Sequence, residues 1–194
     1  MALYTALPDG SPVPSSLITE RLLLRAPRGG DAQLIHAAIC ESFESLSRWM
    51  PWARRMPDLI DSESFVRDAR SRFRNREELN YLIFPRERGP LLGAIGLHTI
   101  DWSVPRFEIG YWLCDSAQGK GIITEAIRAL TAVCFDRLEA ERVEIRCDSR
   151  NERSAAAARR AGYQLEAVLH RQARDNAGNL RDTLVFARFP DAAE

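Results

Sequence analysis

The residues best suited to chemistry lie in the segment Gln118-Gly119-Lys120-Gly121-Ile122-Ile123-Thr124, which precedes a long amphipathic stretch. Two glycines within three residues let the backbone adopt positive φ angles and approach a ligand without an intervening Cβ. A helix that begins here presents unpaired amides and the positive end of its dipole, a combination that binds phosphate. A glycine-rich turn that binds nothing has the same local pattern, so the choice between them depends on the surrounding residues.

Two flanking segments carry further polar groups. Before the glycines, Glu108 lies in a run with a period of two, which predicts a strand with Glu108 on the face opposite to Phe107, Ile109, Tyr111 and Leu113. After them, Asn151 precedes an alanine-rich stretch that ends before Gly162. This pattern predicts a helix with Asn151 as its N-cap, Ser154 in its first turn and Gly162 as its left-handed C-cap.

The elements around these groups predict an α/β (α+β) fold. Apolar residues at helical spacing indicate helices after Asp31, from about Asp61, and from Gly121 to about Leu138. Pro51 should limit residues 45–55 to a short helix or loop. Strand patterns cover residues 22–24, 81–84, 91–100, 107–114 and 143–147, and a closing hairpin covers residues 165–174 and 180–189.

Length and composition favour one domain. The chain has 194 residues, of which 45% are hydrophobic, enough for one full core. The prolines, Gly10 and serines near the start predict an extended leader over residues 1–16, with the domain over residues 17–194. Lys plus Arg and Asp plus Glu both total 27, so no overall charge attracts nucleic acid or an anionic membrane.

The cysteines indicate the compartment. Cys40, Cys114, Cys134 and Cys147 form no C-x-x-C pair and have no histidine at zinc-ligand spacing. Three of them fall where a core hydrophobe is expected, which is typical of reduced thiols. The start lacks the pattern of a signal peptide, and no apolar run approaches the length of a membrane span. We therefore expect a cytoplasmic protein without a metal.

At this point the chain resembles the GNAT superfamily of acyl-CoA-dependent N-acyltransferases. Gln118-x-x-Gly121-x-Ile123 is similar to the family's pyrophosphate motif, and Asn151-x-x-Ser154 is similar to its later helix start. The stretches RLLLR at 21–25, RWMPWA at 48–53 and DNAGNLRDTLVF at 175–186 resemble the RimJ/RimL branch. The resemblance covers nearly the whole chain.

This resemblance implies a mixed, mostly antiparallel sheet with helices on both faces and a splayed central strand pair. It implies an acetyl-CoA-dependent N-acetyltransferase whose acceptor is a primary amine, in the first place the N-terminal amine of a ribosomal-type protein or peptide. A polyamine, amino acid, antibiotic or peptide toxin is the alternative acceptor, and a non-catalytic CoA-binding module is an interpretation from another class. No metal or nucleic acid partner is implied, and a homodimer is allowed.

The resemblance also implies site residues. Glu108 and Ser154 are the expected catalytic groups, and Trp49, Trp52 and His98 are candidates for the acceptor pocket. Core or lid packing explains the two tryptophans as well, and capping explains Asn151 as well as ligand binding does. The expected contacts to acetyl-CoA come from Trp112, Leu113, Cys114, Gln118, Gly119, Lys120, Gly121, Ile122, Ile123, Thr124, Asn151 and Arg159.

The implied chemistry is direct attack of the amine on the thioester in a ternary complex. Deprotonating a lysine-like amine at pH 7 costs roughly 4–5 kcal/mol, whereas an α-amine costs about 1 kcal/mol, so an α-amine needs little base strength. Glu108 would accept the proton, directly or through water, and Ser154 would donate toward the CoA sulfur. Relatives place a tyrosine where this chain has Ala158, so a tyrosine acid at that position is excluded. Nothing near Cys114 in sequence would lower its pKa enough to make it an acyl carrier.

Overall fold

The computed structural model describes residues 3–6 and 13–190 of the 194. The described residues form four α-helices: α1 (Ala32–Trp49), α2 (Leu59–Asn75), α3 (Ile122–Leu138) and α4 (Glu152–Arg160). They also form nine strands: β1 (Leu3–Ala6), β2 (Pro14–Ile18), β3 (Leu22–Arg25), β4 (Leu79–Pro85), β5 (Gly93–Asp101), β6 (Arg106–Leu113), β7 (Arg142–Asp148), β8 (Gln164–Arg174) and β9 (Leu180–Arg188).

The strands form one mixed sheet in the order β1-β2-β3-β4-β5-β6-β7-β9-β8. In the part of the chain that the structure describes, the β6–β7 pair is parallel and every other neighbouring pair is antiparallel. A parallel pair needs a crossover, and α3 supplies it. The predicted fold class is confirmed: this is a mostly antiparallel α/β sheet with four described helices.

The start of the chain differs from the expected leader over residues 1–16. Strand β1 pairs with β2 and β2 pairs with β3, so described parts of this segment belong to the sheet. Val13 and Leu17 are fully buried. Prolines pointed to an unpacked segment, but Pro14 only begins a strand, a position where its missing N–H is tolerated. Residues 1–2 and 7–12 of the expected leader lie outside the described residues.

The two N-terminal helices also differ in their limits from the sequence pattern. Helix α1 continues to Trp49 and ends at Met50, whose extended backbone is the conformation favoured before Pro51. The expectation of a short helix or loop from residue 45 is therefore wrong for its first part. Helix α2 begins at Leu59 because Asp58 and Asp61 form a reciprocal capping box.

Helix α3 fixes the centre of the molecule. Its buried side chains, among them Ala126, Ile127, Leu130 and Cys134, pack onto β3, β5 and β6. Helix α4 packs on α3, β7 and β8, and the Asn151 side chain caps it by accepting from the Ser154 amide at 3.1 Å. None of the described helices is long and apolar enough to cross a membrane.

Candidate active site

The glycine segment forms an open loop at the start of α3. Gly119 and Gly121 both have φ of 75°, a left-handed conformation that favours glycine. A Cβ on Gly119 would meet nothing within 4 Å, so the space above the loop is open. Among the described residues, no group accepts a hydrogen bond from the amides of Gly119 through Thr124, and the first bond of the helix joins the Glu125 amide to the Gly121 carbonyl. We call residues 118–124 the cradle.

Side chains at the entrance of the cradle hold it in place. Gln118 donates through Nε2 to Asp115 Oδ1 at 2.7 Å and accepts from Arg153 Nη1 at 2.6 Å. Lys120 Nζ is directed back to the Ser116 carbonyl at 2.7 Å. The Thr124 hydroxyl is buried and has no partner within the described part of the chain. The loop therefore offers backbone donors and an unsatisfied hydroxyl rather than charged side chains.

The arginine near the cradle is not the one that we expected. Arg153 contacts Gln118, whereas the guanidinium of Arg159 lies over the Phe186 ring, 5.2 Å from its centroid. The contact of Arg159 with acetyl-CoA stays a prediction. Arg153 stands in the first turn of α4, close to Asn151, whereas Arg159 stands in its last turn, so the two arginines lie at opposite ends of this helix.

Beside the cradle, strands β6 and β7 diverge. Their parallel pairing ends at Glu108 and Glu144, while β6 stays paired with β5 to Leu113 and β7 stays paired with β9 to Asp148. The five residues of β6 beyond Glu108 span about 16 Å at the usual rise per residue. A slot of this length opens between the two strands and leads toward the cradle.

Backbone directions select which residues can line this slot. The Cys114 amide donates to the Leu92 carbonyl at 2.8 Å, and the Trp112 carbonyl packs against Gly93, where a Cβ would collide with it. Because polar groups alternate in direction along a strand, Leu113 and Tyr111 present their main chains to the β7 side. Of the main-chain contacts expected from residues 112–114, those of Trp112 and Cys114 are therefore used within the sheet.

A tyrosine that the sequence analysis did not select adjoins the expected catalytic serine. The Tyr111 hydroxyl lies 2.9 Å from Ser154 Oγ and 3.3 Å from the Ser154 carbonyl. Burial raises the pKa of Tyr111 to about 12, so the phenol keeps its proton at neutral pH. Cys147 also lies close to Ser154, and burial raises the pKa of its thiol. Tyr111 and Ser154 thus form a hydroxyl pair at the slot.

Glu108 lies on the other face of the sheet. Thr99 Oγ1 is 3.4 Å from Glu108 Oε2, and Arg146 Nε is 3.7 Å from the same oxygen. Arg146 also pairs with Glu144, whose pKa burial would raise but which its bonds to Arg142 and Arg146 hold below the usual value. Glu108 is therefore a loosely held carboxylate next to a tightly held ion-pair cluster.

His98 and two tryptophans surround Glu108. His98 is the register partner of Glu108, and its ring packs over Gly110, where a Cβ would come within 2.9 Å of it. Trp112 lies on the same face as Glu108 and makes an edge contact with Trp52, with ring centroids 6.3 Å apart. Trp52 is 49% exposed, whereas Trp49 lies under the Arg48 guanidinium. The face thus has a carboxylate, an imidazole and an aromatic pair of which Trp52 is exposed and Trp112 is partly buried.

The closing hairpin borders this face. Asn176, in the turn between β8 and β9, donates through Nδ2 to the carbonyls of Ser47 and Met50 at 2.7 and 2.9 Å. These contacts attach the hairpin turn to the end of α1, close in sequence to Trp49 and Trp52. The groups on this face and the Tyr111–Ser154 pair lie on opposite faces of the sheet, and the slot between β6 and β7 connects them.

The buried thiol of Cys114 is not suited to carry an acyl group. Its sulfur lies 3.5 Å from the Leu91 carbonyl, and burial together with Glu41 raises its pKa to about 11. A thiol with such a pKa is a poor nucleophile at neutral pH. The described residues also contain no cluster of His, Cys, Asp or Glu that could hold a metal ion.

The sequence analysis did not select Tyr111 or Arg21, whose side chain contacts the Lys120 carbonyl and Glu125, because both depend on tertiary contacts. Tyr111 follows the apolar alternation of β6 and resembles a core residue, although its hydroxyl requires a partner when buried. That requirement, and the absence of a tyrosine at Ala158, are the signals that could have identified it. Arg21 flanks an apolar strand, and nothing local distinguishes it from a solvated arginine.

Comparisons with known proteins identify the family. The family described as Acetyltransferase (GNAT) domain matches residues 21–164. A putative ribosomal N-acetyltransferase, YdaF of Bacillus subtilis (strain 168), is 32% identical over 149 residues, which cover 75% of this chain and 79% of that protein. The ribosomal-protein-serine acetyltransferase of Escherichia coli (strain K12) is 29% identical over 182 residues, covering 90% and 96%.

Solved structures share the fold. The Microcin C7 self immunity acetyltransferase MccE, in complex with acetyl-CoA and AMP, has a TM-score of 0.85 and 28% identity, covering 92% of this chain and 98% of its own. RimL, a ribosomal L7/L12 alpha-N-protein acetyltransferase in complex with coenzyme A, has a TM-score of 0.83 and 25% identity, covering 89% and 96%. The chain belongs to the GNAT acetyltransferase family and is an acetyl-CoA-dependent N-acetyltransferase.

Proposed function

We propose that the acceptor is the N-terminal amine of a protein, of the kind that ribosomal-protein acetyltransferases modify. The observation that carries this proposal is the similarity to the ribosomal-protein-serine acetyltransferase, which extends over 90% of this chain and therefore includes the α1–α2 region and the closing hairpin. Those two elements border the face of Glu108, His98 and Trp52. Similarity at this coverage supports a common kind of acceptor, because it is not confined to the segments that would bind the donor.

The cradle residues fit a diphosphate. The amides of Gly119 through Thr124 lack protein acceptors within the described residues, the space above Gly119 is open, and the Thr124 hydroxyl is unsatisfied. A hydrogen bond from such a donor to a charged oxygen contributes roughly 1.5–3 kcal/mol. Acetyl-CoA would supply the activated acetyl thioester and a thiolate leaving group. The Leu113 main chain would hold the pantetheine arm in the slot, with Asn151 beside it.

Three side chains would then take part in proton transfer during the reaction. Glu108 accepts the proton that the amine loses, directly or through one water. Ser154 would donate toward the sulfur, and Tyr111, whose hydroxyl lies 2.9 Å from Ser154 Oγ, would donate to that oxygen during this step. An α-amine of ordinary pKa loses its proton at a cost of about 1 kcal/mol at pH 7, so the loosely held Glu108 is a sufficient base.

The acceptor side would take an extended N-terminus. Trp52 and Trp112 offer an apolar wall, and His98 offers an imidazole opposite Glu108. Trp49, at the end of α1, would close the side near the hairpin turn. Half of the Trp52 surface is open to solvent, which suits a side chain that covers an incoming peptide.

A small acceptor is the second candidate. The MccE structure has the highest TM-score among those compared above, and its name records self immunity against Microcin C7. An acceptor of this second kind is a polyamine, amino acid, antibiotic or peptide toxin rather than a folded protein. The same cradle and slot would serve both reactions, so the two candidates differ at Trp49, Trp52 and His98.

An acceptor screen with acetyl-CoA tests the proposal. Peptides with different N-terminal residues are compared with the same peptides blocked at the α-amine, and with polyamines, amino acids and aminoacyl nucleotides. Thiol release with free N-terminal peptides, and its loss on blocking, would support the proposal. Indifference to every peptide with turnover of a small amine would overturn it in favour of the second candidate. Thiol release with any amine would dismiss a non-catalytic CoA-binding module.

The four cysteines support a cytoplasmic location for this reaction. Cys40, Cys114, Cys134 and Cys147 are all free thiols in the structure, and three of them are buried. Free buried thiols persist in reducing compartments. A protein N-terminus made in the same compartment would be a direct substrate.

A further inference from the structure

The turn between β2 and β3 makes hydrogen bonds to the cradle and to the start of α3, although about a hundred residues separate the two segments. Arg21 Nη1 donates to the Lys120 carbonyl at 3.1 Å, and both Nε and Nη2 of Arg21 lie 2.7 Å from Glu125 Oε2. The Arg21 amide and Thr19 Oγ1 donate to the other oxygen of Glu125 at 3.1 and 2.5 Å. One turn therefore holds the loop before α3 and the first turn of α3 together.

The contact of Arg21 with the Lys120 carbonyl sets the direction of the Gly121 amide. The described chain has no cis peptide bond, so the carbonyl of Lys120 and the N–H of Gly121 point in opposite directions. Since the carbonyl points to Arg21, the Gly121 amide points away from it. No described group accepts from that amide, and Gly121 is in the left-handed conformation that turns the chain into the helix.

Arg21 also offsets a charge that would oppose anion binding. Glu125 lies in the first turn of α3, next to the cradle amides. Burial alone would raise its pKa, but the bonds from Thr19 and Arg21 lower it, so Glu125 is ionised at neutral pH. An unpaired carboxylate there would repel a diphosphate. All three nitrogens of the Arg21 guanidinium contact Lys120 or Glu125, so these contacts hold the guanidinium against the loop and the start of α3.

We propose that Arg21 is a positioning residue for the donor: it fixes the Lys120–Gly121 peptide and neutralises Glu125, and so holds the cradle ready for the CoA diphosphate. This inference rests on the proposed assignment of the cradle to that diphosphate. A positioning role predicts that loss of Arg21 weakens only donors that carry the diphosphate. A purely structural role predicts equal losses with every donor.

The test compares two donors in the Arg21→Ala enzyme. With acetyl-CoA, the KM of the donor should rise at least tenfold, a factor that corresponds to about 1.4 kcal/mol. With acetyl-pantetheine, which carries the thioester arm and lacks the diphosphate, kcat/KM should change less than twofold. Equal losses with both donors, or no loss with either, would overturn the inference.

Two further variants keep the outcome decisive. Arg106→Ala removes an ion pair of similar exposure with Asp101, far from the cradle, and should leave both donors unchanged. Gly121→Ala strains the cradle itself. If Gly121→Ala spares the KM of acetyl-CoA, the diphosphate assignment fails; if it raises that KM and Arg21→Ala does not, only the role of Arg21 fails. If Arg21→Ala does not fold, Arg21→Lys replaces it. Arg21→Lys should also raise the KM of acetyl-CoA, by a smaller factor, and leave kcat/KM for acetyl-pantetheine unchanged.

Discussion

The hydroxyl of Tyr111 on β6 lies 2.9 Å from the hydroxyl of Ser154 on α4. The two residues are 43 positions apart, and they meet because α4 packs against the sheet at the slot where β6 and β7 diverge. Since the pKa of Tyr111 is raised to about 12, its proton is available for Ser154 throughout the neutral range. The pair therefore places two hydroxyl groups within hydrogen-bond distance of each other at the slot.

Removing either hydroxyl should slow acetyl transfer. We expect Ser154→Ala to lower kcat about a hundredfold and Tyr111→Phe about tenfold, because proton transfer by a positioned group contributes roughly 10²–10⁴-fold. The double variant should be no slower than Ser154→Ala alone, because the phenol acts through the serine. Steady-state kinetics on the three variants measure this coupling.

Tyr163→Phe is the matched control for this pair. Tyr163 is buried and shares a hydrogen bond of 2.6 Å with Thr131, away from the slot. It should lower the free energy of unfolding by about 1 kcal/mol and leave kcat unchanged. Losses from Ser154→Ala and Tyr111→Phe that simply multiply would contradict a shared proton path.

Replacing Glu108 with Gln should cost turnover in proportion to the basicity of the acceptor. With a lysine-like amine we expect kcat to fall about a hundredfold, and with an α-amine the fall should be smaller, because the α-amine is partly neutral at pH 7. The gap should narrow as the pH rises past the pKa of the amine, since a neutral amine needs no base. Rates with both acceptors between pH 7 and 10 measure this.

Binding of acetyl-CoA separates this role from a structural one. Its Kd should be the same in Glu108→Gln and in the unaltered protein, because Glu108 lies on the acceptor face. Glu141→Gln, an exposed carboxylate before β7, serves as the control. Unchanged turnover in Glu108→Gln would remove this residue from the mechanism.

Elements with a periodic local pattern could be predicted from the sequence. Side-chain contacts between residues far apart in the chain could not. The periodicity around Glu108 and around α3 predicted their elements, and the two glycines predicted the open loop. The contact of Arg21 with Lys120 joins residues 99 positions apart, and no local pattern records it. The same holds for the contact of Arg153 with Gln118, which joins residues 35 positions apart.

For the N-terminal segment, the sequence predicted an unpacked leader where the structure has strands. Its prolines and serines predicted a leader because composition reports turn propensity and not pairing. Val13 is fully buried in the structure, and β2, which begins at Pro14, pairs with β3, so the later part of this segment is packed into the sheet. Hydrogen bonding to β3 stabilises β2 as a strand although its residues have little intrinsic strand propensity.

Trp52 should influence the acceptor and not the donor. Its ring contacts Trp112 edge-on and is 49% exposed, so Trp52→Ala removes acceptor surface at little cost in stability. We expect the KM of a peptide acceptor to rise about fivefold, in line with the roughly 0.5–1.5 kcal/mol of an aromatic contact. The KM of acetyl-CoA should not change. Trp102→Ala, which removes a tryptophan of 41% exposure near the β5–β6 turn, should change neither constant. Equal effects of the two substitutions on the acceptor KM would exclude Trp52 from the acceptor pocket.

The ion pair between Asp31 and Arg25 should make stability depend on pH in the acid range. The Asp31 side chain is only 7% exposed and bonds Arg25 at 2.7 and 2.8 Å and the Arg28 amide at 2.6 Å. Burial would raise the pKa of Asp31, but these bonds outweigh it and hold the pKa below its usual value of 3.8. A depressed pKa means that the stability is present above the unfolded value and is lost as the pH falls below about 4, through the folded value.

Asp31→Asn tests this linkage. At pH 7 the free energy of unfolding should fall by about 3 kcal/mol, because the substitution leaves the nearly buried Arg25 without its carboxylate. The difference from the unaltered protein should shrink as the pH is lowered from 5 to 3, because protonation of Asp31 then removes the same charge. Urea denaturation at several pH values measures both quantities. Asp68→Asn, which breaks an exposed pair with Arg67, should change the free energy of unfolding by less than about 1 kcal/mol at every pH. A difference for Asp31→Asn that stays constant down to pH 3 would show that lost packing, and not the ion pair, is responsible.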